Sequence, residues 1–129
     1  MKVEFTLPIH PMQKERARAD VYRKFHTPQR SRDFEQSVKF LASKYRPRVL
    51  LDGPLKLTVR FFLIPPKRRK FSEPAVKPDL DNFTKALKDA LNGVIWTDDA
   101  RVCQYGEGTG KYYDLAGGLG HIEVIVEEI

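Results

Sequence analysis

Residues 77–102 read KPDLDNFTKALKDALNGVIWTDDARV, and the helix written into this stretch places what lies on either side of it. Pro78 ends an extended segment, and two carboxylates one residue apart, Asp79 and Asp81, stand where a helical pattern begins. At about 3.6 residues per turn, Leu80, Phe83, Leu87 and Leu91 share one arc, while Asp81, Lys85, Lys88 and Asn92 share another. The spacing therefore predicts an amphipathic helix with an ordered charged face. Asn92-Gly93 stops it, because both residues tolerate positive φ, and the apolar run Val94-Ile95-Trp96 leads into a second acidic pair, Asp98-Asp99. This return is expected to bring the two acidic pairs together.

Carboxylates gathered in a chain of net charge +6 have a chemical use: they are hard oxygen ligands for Mg²⁺ beside a basic surface that holds phosphates. Each also has a purely structural use. Asp79 reads equally as an N-cap, Asp81 as a complement to the helix dipole, and Asp98-Asp99 as a solvated turn. Lys85, four residues after Asp81 on the same face, and the basic residues flanking the stretch weigh against the structural uses taken jointly, and on spacing alone both readings stay open.

The string Lys77-Pro78-Asp79-Leu80-Asp81-Asn82-Phe83-Thr84-Lys85, the Asp89-Ala90-Leu91-Asn92-Gly93 step and Trp96-Thr97-Asp98-Asp99 resemble the signature of the RusA family of Holliday-junction resolvases. Members of that family are small homodimeric, Mg²⁺-dependent endonucleases that cut four-way DNA junctions symmetrically. Their pattern runs PDxDNLxK, a D-x-L-N-G-like turn, then DDxQ. Carried over residue by residue, the resemblance implies catalytic roles for Asp79, Asp81, Lys85 and Asp99. It implies that Asp79, Asp81 and Asp99, with Asp98 as a further member, hold Mg²⁺, for which Mn²⁺ is an expected substitute. Two positions depart from the pattern: Phe83 replaces the usual leucine, and Arg101 stands where glutamine is common. An arginine beside a phosphate site is physically reasonable there.

At 129 residues the chain has the size of one domain, 1–129, and its 41% hydrophobic residues suffice for a core. No apolar run approaches a membrane span and no secretory signal opens the sequence, so a cytoplasmic protein without a membrane partner is expected. Cys103 is the single cysteine, which excludes an intramolecular disulfide and a Cys-based zinc site. It reads as a small packed strand residue. The 23 Lys and Arg against 17 Asp and Glu suggest a polyanionic partner.

Val3, Phe5 and Leu7 alternate with polar residues and predict a strand over 2–8. From 14 to 32 the chain is basic (Lys14, Arg16, Arg18, Arg23, Lys24, Arg30 and Arg32) and interleaved with Tyr22, Phe25 and His26. No period runs through it, so it reads as an irregular or hairpin-like loop that follows a phosphate backbone. Ser31 is a candidate N-cap for a helix over 31–45, with Phe34, Val38, Leu41 and Tyr45 as its apolar stripe. Leu55, Leu57, Val59, Phe61 and Leu63 form the clearest alternation in the chain and predict a central strand. Lys67-Arg68-Arg69-Lys70 follows, and with Lys77 supplies a basic loop just ahead of the carboxylates, suited to phosphates rather than bases. Residues 101–107 suggest a strand, the Gly-rich 106–120 a mobile hairpin connection, and Ile122, Val124 and Val126 a last strand paired with the preceding one.

The expected architecture is α+β: a single-layer mixed sheet with two helices in the order β-α-β-α-β-β. The expected function is metal-dependent hydrolysis of four-way junction DNA by a homodimer. DNA contacts are expected from Lys14, Arg16, Arg18, Arg30, Arg32, Lys67, Arg68, Arg69, Lys70 and Lys77. Two other readings fit the residues alone: a non-catalytic basic DNA-binding module, and a metal-dependent nuclease with another nucleic-acid substrate.

Overall fold

The computed structural model describes residues 1–15, 18–19, 25–26 and 28–129, with the backbone alone at 18–19 and 25–26. The elements in order are β1 (Lys2–Leu7), β2 (Arg18–Ala19), β3 (Phe25–His26), α1 (Gln29–Ala42), β4 (Leu55–Leu63), α2 (Leu80–Leu91), β5 (Val102–Tyr105), β6 (Gly110–Tyr113) and β7 (His121–Glu128). This is a mixed α+β fold with two α-helices and one open five-stranded sheet. The small β2–β3 pair stands apart from that sheet, within the segment read as hairpin-like.

Alternation in β4 turns Leu55, Leu57, Val59, Phe61 and Leu63 to one face, where all are buried. Ile122, Val124 and Val126 of β7 and Phe5 and Leu7 of β1 line the same face. Both helices cover it, α1 through Phe34, Val38 and Ala42 and α2 through Phe83, Ala86, Leu87, Ala90 and Leu91. Phe61 stacks on Phe83 with ring centroids 5.4 Å apart, locking α2 over the middle of the sheet. The apolar run after α2 then plugs the core, with Val94, Ile95 and Trp96 buried and Trp96 Nε1 donating to Asn92 Oδ1 at 2.8 Å.

Topology corrects the sequence reading at the C-terminal end. β7 does not pair with the strand before it; it lies between β1 and β4, antiparallel to both. β5 and β6 together form the other edge. Each is parallel to β4, β5 along Leu55–Leu57 and β6 along Arg60–Leu63. Residues 106–120 are therefore not one hairpin connection, since they contain β6, and the main sheet has one strand more than the sequence suggested. The Gly106 amide donates to the Leu57 carbonyl at 2.8 Å and the Asp114 amide to the Leu63 carbonyl at 2.7 Å, which ties both flanks of this edge to β4.

Local boundaries moved for identifiable reasons. α1 starts after Pro28, whose fixed φ of −55° precedes the helix, so Ser31 lies inside the first turn and not at the cap. Ser31 is buried and its Oγ accepts from the Glu15 amide at 3.0 Å. The helix closes at Ala42 and a 3-10 turn carries the chain to Tyr45, which stacks on Phe5 at 5.0 Å. Arg101 belongs to a 3-10 turn, Asp99–Arg101, with β5 beginning at Val102. Cys103, expected to be packed, is exposed, because β5 is an edge strand with an open outer side. Of Asn92 and Gly93, only Gly93 uses positive φ, at 77°, while Asn92 is extended. No helix of the described residues is long and apolar enough to cross a membrane.

Candidate active site on the charged face of helix α2

Asp79 occupies the N-cap position of α2 with extended φ/ψ of −68° and 150°, yet its side chain makes no capping hydrogen bond. Asp81 lies in the first turn, and both residues are exposed. Among the described residues, neither carboxylate accepts a hydrogen bond or pairs with a cation. The capping use open to Asp79 in the sequence is thus not taken up. Two adjacent carboxylates are left facing solvent at the start of a helix whose inner face is fully committed to the core.

Further along the charged arc, Lys85 is 62% exposed and its Nζ lies 3.9 Å from Asp89 Oδ2, so its ion-pair partner is Asp89 and not Asp81. Asp89 also receives Lys14, at 3.5 Å, and Lys14 pairs in addition with Glu35 of α1. Burial draws the Lys14 ammonium down, but Glu35 and Asp89 outweigh it and hold the group above its ordinary value of 10.5. Lys14, expected on a DNA surface, thus sits in an ion-pair network between the helices. Its backbone is pinned as well, the Lys14 amide donating to the Asn82 carbonyl at 3.2 Å. Lys88 donates to the Tyr105 hydroxyl at 2.9 Å and so joins α2 to edge strand β5.

The second acidic pair sits in the 3-10 turn beyond α2. Asp98 Oδ1 accepts from the Ala100 amide at 3.0 Å. That bond and the Asp99 carboxyl hold Asp98 below the ordinary carboxylate value. Asp99 is pushed up by its hydrogen bond with Asp98, by burial and by the charge of Asp89. The turn is braced from outside, where Asp52 Oδ1 accepts from Arg101 Nε at 3.0 Å and from the Thr97 hydroxyl. Arg101, the departure from the family glutamine, is thereby engaged with Asp52.

Asp81 and Asp89 are eight residues apart on α2, a rise of about 12 Å. The return after Gly93 brings Asp99 within the influence of Asp89 and Lys88 in the third turn. Among the described residues, no three His, Cys, Asp or Glu side chains stand together as a group able to hold a metal ion. Within these residues of one chain the two acidic pairs thus form no such group.

The basic residues fall in two groups. Arg30 is exposed, 4.0 Å from Glu15, and Arg32 donates to Gln29 at 2.6 Å, both on the first turn of α1. Arg16, and the side chain of Arg18, lie outside the described residues. Lys67, Arg68, Arg69, Lys70 and Lys77 are exposed on the loop leading to Asp79. Arg69 lies over the Tyr113 ring at 5.9 Å and Lys70 over Phe71 at 5.4 Å.

Sequence reasoning passed over Asp89 and Lys111. Asp89 sits four residues after Lys85, a spacing that already pairs charges on a helix. Lys111 carried no comparable signal, because it lies in a strand whose glycine flanks read as a loop.

The molecule is an α+β protein that presents two exposed carboxylates, unpartnered among the described residues, and an exposed lysine along one helix face, with a basic loop at its start. The sequence model of the family described as endodeoxyribonuclease RusA matches residues 8–127, and the chain belongs to that family. It is an endonuclease of the Holliday-junction resolvase kind. The chain is also similar to the uncharacterized protein YqaN of Bacillus subtilis (strain 168), with 30% identity over 142 aligned residues that cover 98% of this chain and 96% of the relative.

Proposed function

We propose that this protein is a Mg²⁺-dependent, structure-selective endodeoxyribonuclease that hydrolyses one phosphodiester in each of two opposed strands of a four-way junction, acting as a homodimer. The observation that carries this reading is the state of Asp79 and Asp81. They form an exposed carboxylate pair at a helix N-terminus, and the capping bond that would give Asp79 a structural role is missing.

Oxygen-only donors suit Mg²⁺, which is commonly held by one or two carboxylates together with substrate phosphate and water. A protein site of that kind needs no third carboxylate before DNA arrives. In this reading Asp79 and Asp81 hold the ion, and Asp99, with Asp98 hydrogen-bonded to it, contributes from the turn beyond α2. When bound, Mg²⁺ supplies positive charge against the scissile phosphate and favours ionisation of water beside it. Lys85 presents its ammonium to the negative charge that develops on the phosphate or leaving oxygen. Asp89 restrains that side chain from the next turn. Arg30, Arg32, Lys67, Arg68, Arg69, Lys70 and Lys77 engage the phosphate backbone, which accounts for affinity without base readout. The two-fold symmetry of paired cuts supports a two-fold symmetric enzyme.

The test is cleavage of a synthetic four-way junction against a linear duplex of the same sequence, in Mg²⁺ and in EDTA, by wild type and Asp81→Asn. Paired nicks in the junction alone, lost with EDTA and with Asp81→Asn, are expected. Binding without cutting would leave a DNA-binding module, and equal cutting of duplex would leave a nuclease with a broader substrate.

A further inference from the structure

Strand β6 makes contacts that pairing with β4 does not require. Lys111 donates from Nζ to the Val76 carbonyl at 2.7 Å and to the Pro78 carbonyl at 2.9 Å. These carbonyls flank Lys77, and the second belongs to the residue directly before Asp79. Tyr113, on the same face of β6 two residues later, receives Arg69. The loop between β4 and α2 is thus tied to one strand at two places, at its basic run and at its last turn before the carboxylates.

Apart from the buried Pro74, this loop has little else to hold it. Among the hydrogen bonds of the described residues, its stretch 65–78 makes one main-chain bond, from Ala75 to Glu73 at 2.7 Å, besides the two from Lys111. Residues 66–73 and 75–77 are exposed. An ammonium suits the task, because it has three donors and no acceptor, and its bonds to carbonyls are charge-assisted. A neutral side chain of similar length would span both carbonyls less well and bring no charge beside the acidic pair.

We propose that Lys111 is a positioning residue for the metal-binding carboxylates: by clamping the Val76 and Pro78 carbonyls it fixes the chain entering α2, and with it the direction in which Asp79 leaves the helix N-terminus. The inference rests on the reading of Asp79 as a cation ligand. Lys111 touches neither substrate nor cation in this account and acts through residues 76–79.

The test uses the full chain with Lys111→Met, Lys111→Arg and Asp79→Asn. Hydrogen exchange is followed over residues 72–83 without metal, and Mn²⁺ binding is titrated without DNA. In Lys111→Met, exchange at the hydrogen-bonded amides on either side of the clamp, Ala75 (to the Glu73 carbonyl) and Asn82 and Phe83 (to the Asp79 carbonyl), is expected to rise about tenfold. Mn²⁺ affinity is expected to fall between about tenfold and a hundredfold, as for loss of a partner that orients a ligand. Lys111→Arg, which keeps charge and donors, is expected to restore most of both. Should Lys111→Met not fold, Lys111→Gln, too short to bridge both carbonyls, is expected to show the same changes.

Unchanged exchange at Ala75, Asn82 and Phe83 would overturn the clamp. Raised exchange with unchanged Mn²⁺ affinity would reduce Lys111 to a loop staple and overturn its positioning role. Failure of the nuclease reading looks different: wild type and Asp79→Asn would then bind Mn²⁺ equally poorly and the junction would stay uncut, which overturns both. If wild type binds Mn²⁺ through Asp79 and Lys111→Met weakens it, the inference stands whichever DNA is cut.

Discussion

Gly106→Ala tests the edge that carries Lys111. A Cβ at Gly106 would lie 1.8 Å from Thr58 Oγ1, 3.0 Å from Thr58 Cβ and 3.5 Å from Thr58 Cγ2. Thr58 is 8% exposed on central strand β4, and its branched side chain is restricted at χ1. The Gly106 backbone is equally committed, because its amide donates to Leu57 at 2.8 Å and its carbonyl accepts from Thr109 at 3.2 Å. Relief requires moving the β5–β6 junction away from β4 and weakening the first of these bonds. Overpacking costs about 1–3 kcal/mol, and a weakened buried hydrogen bond adds about 1 kcal/mol. A loss of about 3 kcal/mol corresponds to a melting temperature lower by roughly 10 °C for a domain of this size. Thr58→Ala in the same chain removes Oγ1 and Cγ2 and leaves only the 3.0 Å contact with Cβ, which a shift of a few tenths of an ångström relieves. The double variant should therefore recover most of the loss, giving a coupling of about 2–3 kcal/mol in a double-mutant cycle by urea unfolding. A Gly106→Ala protein melting within about 1 °C of wild type, or one that Thr58→Ala does nothing to restore, would refute the packing of this edge against β4.

Lys85→Ala should lower junction cleavage about a hundredfold or more, while the exposed pair with Asp89 that it removes is worth only ~0.5 kcal/mol; unchanged cleavage with a lowered melting temperature would make Lys85 a surface ion pair. Lys39 donates to the Ala90 and Asn92 carbonyls, each at 2.9 Å, at the C-terminal end of α2. Lys39→Met should cost about 1–2 kcal/mol in urea unfolding, and a loss near zero would show those carbonyls to be satisfied by water instead. Asp52 is held below its ordinary value of 3.8 by the Thr97 hydroxyl and by Arg101. Its folded value is the lower one, so its contribution is fully present above pH 3.8 and is lost as pH falls through the folded value. The stability gap between wild type and Asp52→Asn should thus stay constant from neutrality down to the ordinary carboxylate range and close below it; a gap that persists in strong acid would mean that the carboxylate charge is not what holds the Asp98-Asp99 turn.

The elements with a clean period were legible without coordinates. β1, β4 and β7 follow from alternation and α2 from its arc of Leu80, Phe83, Leu87 and Leu91, because periodicity records which face is buried. The residue types at Asp79, Asp81 and Lys85, and the order in which they come, pointed to their chemistry for the same reason: they are local on one helix. Other features depend on partners far away in sequence. β6 is a strand because Arg60–Leu63 lies beside it, not because Gly110–Tyr113 has a strand composition. Ser31 reads as a cap until the Glu15 amide is seen to claim it.

What the amino-acid sequence determined alone is thus the amphipathic frame, the family and the candidate site residues, all carried by short-range pattern. Tertiary structure decided the rest. It inserted β7 between β1 and β4, gave Lys85 and Lys14 to Asp89, left Asp79 uncapped, and set Lys111 against the carbonyls before α2. The physical reason is one of range: burial patterns are written residue by residue, whereas the partner of a charge or a strand edge is chosen by whichever distant segment the packed core brings beside it.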